Sequence, residues 1–323
     1  TVSFRSSSDH VNFQNIPNRH PIYSPIIRKL FVPRPGNHLV ELDFSGAEVR
    51  VAGCVTKDPK LMAYLTGAGD MHHDVAKDIF LLRDDQVDKK TTRHWAKNRF
   101  VFAQFYGSVY FQCAPALWDE VTSSGGQKAF LPGTQITVRQ HLASKGIKEL
   151  GSCDPKSPAK KGTFAQLVME AERSMWEDRF TVFTKWKKDL WQRYQRDGYI
   201  DMATGFTCGL RDMRRNQVLN FPIQGPAFHC TLWCVSEINR ALRRYRMKSR
   251  VLGQIHDSVL GDVPGKELQN YLDIAYETMT EKIMKAWKWL IVPLEAEADV
   301  APLGLSWADK KGYVKKGTIW QAA

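Results

Sequence analysis

No apolar run in this sequence approaches the roughly 20 residues that a membrane-crossing helix needs, and no signal-peptide pattern opens it. The six cysteines, at 54, 113, 153, 208, 230 and 234, include no C-x-x-C pair. That speaks against a zinc site or a disulfide scaffold, and reduced thiols in a cytoplasmic compartment are expected. Cys230 and Cys234 stand four apart in a helical-looking segment and read as core packing. No repeat of solenoid period is present. Negative charge is also short: 34 Asp and Glu stand against 46 Lys and Arg, a net charge of +12. Such an excess favours a polyanionic partner, with nucleic acid ahead of membrane because no basic amphipathic anchor is evident.

What is present is globular. The 323 residues are 43% hydrophobic and 25% charged, enough for one large domain or two ordinary ones. Residues 1–24 are rich in Ser, Asn and Pro and read as irregular. Residues 26–43 read as two strands around "PRPGN", and 48–80 as helix interrupted at "TGAGD". A basic, aromatic helix over 88–107 follows, stopped by Gly107. The stretches 122–127 and 151–162 read as exposed insertions, since helical pattern resumes after each. Residues 164–197 form a long helical region with Trp176, Trp186 and Trp191 as core anchors. "GYIDMATGFTCGL" reads as a hairpin, 214–245 as a helix, and the segment after about 288 as an irregular tail. Strands at both ends around a helical block predict an α+β fold.

Two carboxylates carry the chemistry. The apolar run Leu39-Val40-Glu41-Leu42 ends at Asp43, and a tight hairpin from two short apolar runs carries His256-Asp257 at its tip. A carboxylate ending a core strand is costly unless something neutralises it, an N-cap or a salt bridge being the ordinary answer. If these strands share a sheet, Asp43 and Asp257 can meet at one edge. Two anions that close repel unless cations lie between them, and oxygen-only ligands fit Mg²⁺. A pair of such ions serves phosphoryl transfer. On the 88–107 helix, Arg93 and Lys97 stand four apart and can share a triphosphate, while Phe102 and Tyr106 offer flat surfaces.

With these motifs in this order, the chain resembles family A DNA polymerases, the DNA polymerase I-like enzymes, particularly phage members. "FRSSSDHVNFQNIPNR" is similar to the segment that meets the primer-template minor groove, which implies DNA contacts for Asn15 and Arg19. "DFSGAEVR" resembles motif A. It implies Asp43 as a metal ligand with the Phe44 carbonyl, and Glu48 as the residue excluding a ribose 2′-hydroxyl. "GDMHHDVA" implies His72 at the nucleotide phosphates. "RHWAKNRFVFAQFYG" resembles motif B, with Arg93 and Lys97 on the triphosphate, Phe102 against the nucleotide and Tyr106 at the templating position. "NFPIQG" and "QIHDS" imply Gln224 and Gln254 at the minor groove, His256 near the primer end and Asp257 as second metal ligand.

The resemblance implies a polymerase right-hand fold, with an antiparallel palm sheet carrying a mostly helical fingers insertion. It allots 1–70 and 198–323 to the palm and 71–197 to the fingers, with no thumb or exonuclease domain. The implied activity is DNA-directed DNA synthesis: dNTPs are added to a primer 3′-hydroxyl with release of pyrophosphate, in phage genome replication. Two Mg²⁺ ions, with Mn²⁺ as a substitute, would serve as cofactors. Primer-template DNA and an N-terminal thumb and exonuclease portion, on the same or a split polypeptide, would be partners. No membrane is involved, and the location would be the cytoplasm, of a bacterial host if phage-encoded. The alternatives are a single-subunit RNA polymerase-like enzyme and a catalytically incomplete primer-template-binding fragment.

Departures from the family pattern matter. Arg93-x3-Lys97-x8-Tyr106 carries one residue more than the family spacing. At about 100° per residue, Tyr106 would rotate off the phosphate face, so a π-type turn is predicted between Lys97 and Phe102. Gly46 replaces a usual Gln, and Ser258 follows the motif C aspartate where Glu is common. The 108–165 stretch is longer than the family leads one to expect and reads as a surface elaboration.

Overall fold

A computed structural model of the chain describes residues 4–10, 12–17, 20, 22–67, 69–157, 159–210 and 212–323. Arg19 lies outside the described residues. The chain divides into two compact units. The first comprises Thr1–Val55, Tyr194–Met213 and Phe221–Ala323; the second comprises Thr56–Arg193 and Arg214–Asn220. The chain leaves the first unit after Val55 and returns to it at Tyr194. Among the described residues, no helix is long and apolar enough to cross a membrane.

The first unit is built on an antiparallel sheet. Its strands are β1 (Asn37–Phe44), β4 (Arg250–Ile255), β5 (Ser258–Pro264), β6 (Ala296–Val300), β7 (Lys311–Lys316) and β8 (Ile319–Ala322). A small separate hairpin joins β2 (Ile200–Asp201) to β3 (Thr207–Cys208). The large sheet runs β4-β5-β1-β6-β7-β8. Central β1 is buried on both faces at Leu39, Val40 and Leu42, which is why it reads as a continuous apolar run. The helix Leu268–Glu277 packs Leu268, Tyr271, Leu272 and Ala275 into the core and touches β1, β5, β6 and β8.

Two expectations for this unit fail. Residues 23–28 form a helix, Tyr23–Arg28, so only one strand lies between 26 and 43. A short apolar run does not by itself distinguish strand from helix. Here Pro25 falls in the first turn, where its missing N–H costs nothing. The helix ends with Arg28 stacked 3.9 Å over the Trp307 ring and donating to the Pro17 carbonyl at 3.2 Å. The tail after 288 is also not irregular, since it supplies β6, β7 and β8. β7 is exposed at nearly every position, so it shows no alternation of apolar and polar residues to betray it.

The second unit is helical. Asp58 caps the helix Pro59–Leu65 and also accepts the Phe183 N–H at 3.0 Å, tying two distant segments together. Phe80, Phe100, Phe164, Phe180, Phe183, Leu117 and Leu142 are fully buried. Trp176, Trp186 and Trp191 are half-buried. Trp176 packs on Phe105, Phe180 and Phe183. The stretch expected to be a surface elaboration contributes core: Leu131, Val138, Leu142, Ile147 and Phe164 are buried. Its loop lysines 156, 160 and 161 are exposed.

One close approach in the sheet unit makes a test. A Cβ on Gly261 of β5 would meet the hydroxyl of Tyr271 at 2.3 Å, and that buried hydroxyl has no hydrogen-bond partner. Gly261→Ala is expected to destabilise by at least about 2 kcal/mol in urea denaturation. Tyr271→Phe, which removes an unsatisfied polar group, should be neutral or stabilising by up to about 1 kcal/mol.

Candidate active site

Adjacent strand ends bring the two predicted aspartates together. Asp43 pairs with Ser258 across β1 and β5, so it lies one residue from the Asp257 backbone. The Phe44 N–H donates to the Asp257 carbonyl at 3.3 Å, closing the ladder at the turn. The Asp257 side chain lies near enough to act on the Asp43 carboxyl. The Asp43 carboxyl is pushed up to about 8, by burial first and then by the charge and hydrogen bond of Asp257 and the charge of Glu41. Asp43 nevertheless keeps an exposed edge. Lys310, which pairs with Glu41 at 2.6 Å and Asp299 at 2.8 Å, acts in the opposite sense on Asp43.

A carboxylate that keeps its proton to about pH 8 beside another carboxylate is a donor pair short of positive charge. A divalent cation fits that deficit. Among the described residues no cluster of three or more His, Cys, Asp or Glu surrounds an ion-sized position. The pair therefore suits an ion that takes its remaining ligands from water and phosphate, as Mg²⁺ does. Ser258 does not extend the set, because it is buried and its hydroxyl donates to the Ile255 carbonyl at 3.0 Å.

The first unit also holds His256, Gln254, Asn15, Gln224 and Glu48. His256 occupies the tip of the β4–β5 hairpin at φ +52°, and the Gln254 amide donates to the His256 carbonyl. Ser6 donates to Gln254 at 3.3 Å and accepts from Gln14 at 2.9 Å, so the N-terminal segment is tied to the hairpin strand. Asn15 is exposed at the end of the turn Phe13–Asn15. Gln224 is half-buried on the helix Arg215–Arg244. Glu48, in the first turn of the helix Ala47–Thr56, pairs with Arg5 at 4.0 Å. Gly46, just before that helix, sits at φ +64°, a backbone that favours glycine over the usual Gln.

A separate cluster forms in the second unit. Between the helical turns Thr92–Trp95 and Phe102–Phe105 lies a π-helical turn, Ala96–Val101, in which the Phe102 N–H donates to the Lys97 carbonyl. That wide turn absorbs the extra residue and keeps Arg93, Lys97, Phe102 and Tyr106 along one face. Lys97 Nζ lies 5.4 Å from the Phe102 ring centre, and the His72 ring meets Phe102 edge-on at 5.7 Å. Tyr106 is exposed, and its carbonyl accepts from Asn220 at 3.3 Å.

Asp70 is the residue that sequence reasoning missed. It caps the helix Met71–Phe80 by accepting the N–H groups of His72 and His73 at 3.1 Å, and it holds Arg93 at 2.6 Å. The capping half of this role is legible as Asp ahead of a helix. The Arg93 half is not, because it joins residues 23 apart. Burial works to raise the Asp70 carboxyl, but Arg93 and the capped N–H groups more than offset it and hold it below the usual range.

The model of DNA polymerase family A matches residues 1–129 and 173–309, well over half of the chain. The chain belongs to DNA polymerase family A. Among family A relatives, DNA polymerase I of Chloroflexus aurantiacus is 25% identical, over 92% of this chain and 27% of its own length. The DNA polymerase of Bacillus phage SP01 is 25% identical over 83% and 26%, respectively. The thermostable DNA polymerase I of Thermus thermophilus is 25% identical over 97% and 32%. The chain thus spans between about a quarter and a third of these relatives. The fold is similar to the POL domain of Pol1 from M. smegmatis in complex with DNA primer-template and dNTP. That match has a TM-score of 0.68 and 23% identity, over 96% of this chain and 47% of that one. The antiparallel sheet and helical unit are thus a family A polymerase fold. Residues 130–172 fall outside the family match.

His72 gives the cluster a pH signature. Burial, then the charges of Lys97 and Arg93, lower its imidazole to about 4, so it is neutral at pH 7. Between about 6.5 and 4 the unfolded chain takes up a proton that the folded chain refuses, so stability falls as pH drops through that window. The melting temperature of His72→Gln should therefore fall less between pH 6.5 and 4 than that of the wild type, corresponding to roughly 2–3 kcal/mol at most.

Proposed function

We propose that this chain carries out template-directed DNA synthesis, adding deoxynucleotides to a primer 3′-hydroxyl with release of pyrophosphate. The juxtaposition of Asp43 and Asp257 at the end of the sheet, in a family A chain, carries this reading. Mg²⁺ held by these carboxylates and the Phe44 carbonyl would supply Lewis-acid activation of the attacking and leaving oxygens. Asp43 and Asp257 would both hold ions, with Mn²⁺ as a substitute. In the second unit, Arg93 and Lys97 would bind the triphosphate, and pyrophosphate would have to compete with Asp70 for Arg93. His72, neutral at pH 7, would act as a hydrogen-bonding group that gains a proton when phosphate arrives. Phe102 would take the base or sugar, Tyr106 the templating position, and Glu48 would exclude a ribose 2′-hydroxyl.

Primer-template DNA is the macromolecular partner. Asn15, Arg19, Gln224, Gln254 and His256 would meet its minor groove or the primer end, and the net charge of +12 favours it. Because the relatives are three to four times longer than the matched span, a thumb and exonuclease portion, on this polypeptide or another, would complete the grip. The phage relative supports a role in phage genome replication. A single-subunit RNA polymerase is the rival enzyme, and a catalytically silent primer-template-binding module the rival of a different class.

Primer extension by the full-length protein decides among these readings. Mg²⁺-dependent incorporation of dNTPs in preference to rNTPs is expected, and Glu48→Ala should narrow that preference. Asp257→Ala should slow extension by roughly a thousandfold or more while retaining primer-template binding. Near-normal extension by Asp257→Ala would show that the metal assignment is wrong, and DNA binding without extension would favour the silent module.

A further inference from the structure

Gln104 sits two residues after Phe102 and two before Tyr106, and only 2% of it is exposed. A primary amide in such a place must have its hydrogen bonds satisfied or it destabilises the helix. Both ends are satisfied here. Its Nε2 donates to the Glu172 carboxylate and lies 3.8 Å from Cys113 Sγ, and its Oε1 accepts from Trp176 Nε1 at 2.8 Å. Glu172 in turn accepts a backbone hydrogen bond from Tyr110. Lys187 extends the cluster, its Nζ lying 3.0 Å over the Trp176 ring.

The position of this lock relative to the π turn gives it significance. The wide turn Ala96–Val101 absorbs one extra residue, but helix geometry alone does not dictate where along the helix the residue is absorbed. Were it absorbed one turn later, Phe102 would rotate off the face that carries Arg93 and Lys97. A fully bonded amide at 104, three residues past the end of the π turn, removes that freedom, because any rotation strands the two polar ends of the buried amide. Glu172 is supplied by the helix Phe164–Arg173, whose sequence up to residue 172 falls outside the family match. That segment is anchored at its other end: Phe164 stacks on Phe80 at 6.1 Å and meets Trp118 at 5.1 Å. The His141 ring is bonded to the Leu81 carbonyl at 2.9 Å.

We propose that segment 130–172 is a brace for the nucleotide-binding helix, with Glu172 and Gln104 as positioning residues that fix the orientation of Phe102 and Tyr106. The proposal rests on the function proposed above and adds to it the means by which this chain holds a lengthened motif B helix in register.

The test compares Glu172→Ala, Glu172→Gln and Gln104→Leu in the full-length protein. Nucleotide KM and kcat in primer extension are measured alongside primer-template affinity and circular dichroism. Glu172→Ala and Gln104→Leu are expected to raise nucleotide KM about tenfold, with primer-template affinity within about twofold of wild type. Glu172→Gln, whose amide oxygen still accepts from Gln104, should recover most of the loss. An unchanged nucleotide KM in Glu172→Ala overturns the brace, as does a parallel loss of primer-template affinity or helix content, which would mark a general folding defect. Absence of extension by the wild type would defeat the function first and the brace with it; extension by the wild type with unaffected variants would defeat the brace alone.

Discussion

Two like charges at adjacent strand ends are the constraint around which the sheet unit is arranged. Asp43 closes the central strand and Asp257 turns the neighbouring hairpin, so the ladder that pairs Asp43 with Ser258 forces their carboxyls into contact. Alone, such a pair destabilises the fold unless a proton or a cation stands between the two groups. The surroundings do not relieve it fully. Glu41, on the same strand, adds to the repulsion, and Lys310, which opposes it, is already engaged by Glu41 and Asp299. A divalent cation at this edge, as the proposed function requires, would relieve what burial and the neighbouring carboxylates impose on Asp43.

The helical unit solves a different problem, that of one residue too many. A lengthened Lys-to-Tyr spacing would scatter the cationic and aromatic groups around the helix. The π turn gathers them again, and the buried Gln104 holds the gathered arrangement. Asp70 works from the other side by holding Arg93 while capping the next helix. Both are polar groups whose bonds are satisfied at points where geometry has to be unambiguous.

Legibility tracked burial. Strand β1 and the His256-Asp257 hairpin were readable because their apolar runs are dense and the turn between them is short. The π turn was readable from a single count of residues. Strands β7 and β8 were not, because β7 is Lys-rich and exposed at nearly every position and β8, at the sheet edge, is four residues long with only Trp320 buried, so neither shows a period of two. Helix Tyr23–Arg28 was too short to declare its type. The 130–172 stretch looked like decoration because its loop is polar and basic, while its core residues are spread thinly among segments that only packing brings together.

The same division separates the candidate site into two parts. Residue types and local spacing were determined by the sequence itself: carboxylates at the ends of apolar runs, cations four apart, an aromatic pair, and an extra residue between them. Local spacing acts through helix and strand periods, which operate over a few residues and need no knowledge of the rest of the chain. Tertiary structure alone decided that Asp43 and Asp257 meet, that Asp70 holds Arg93, and that Glu172 reaches Gln104. Each of these joins residues far apart in the chain, where strand pairing and side-chain packing set the distance and no local period can.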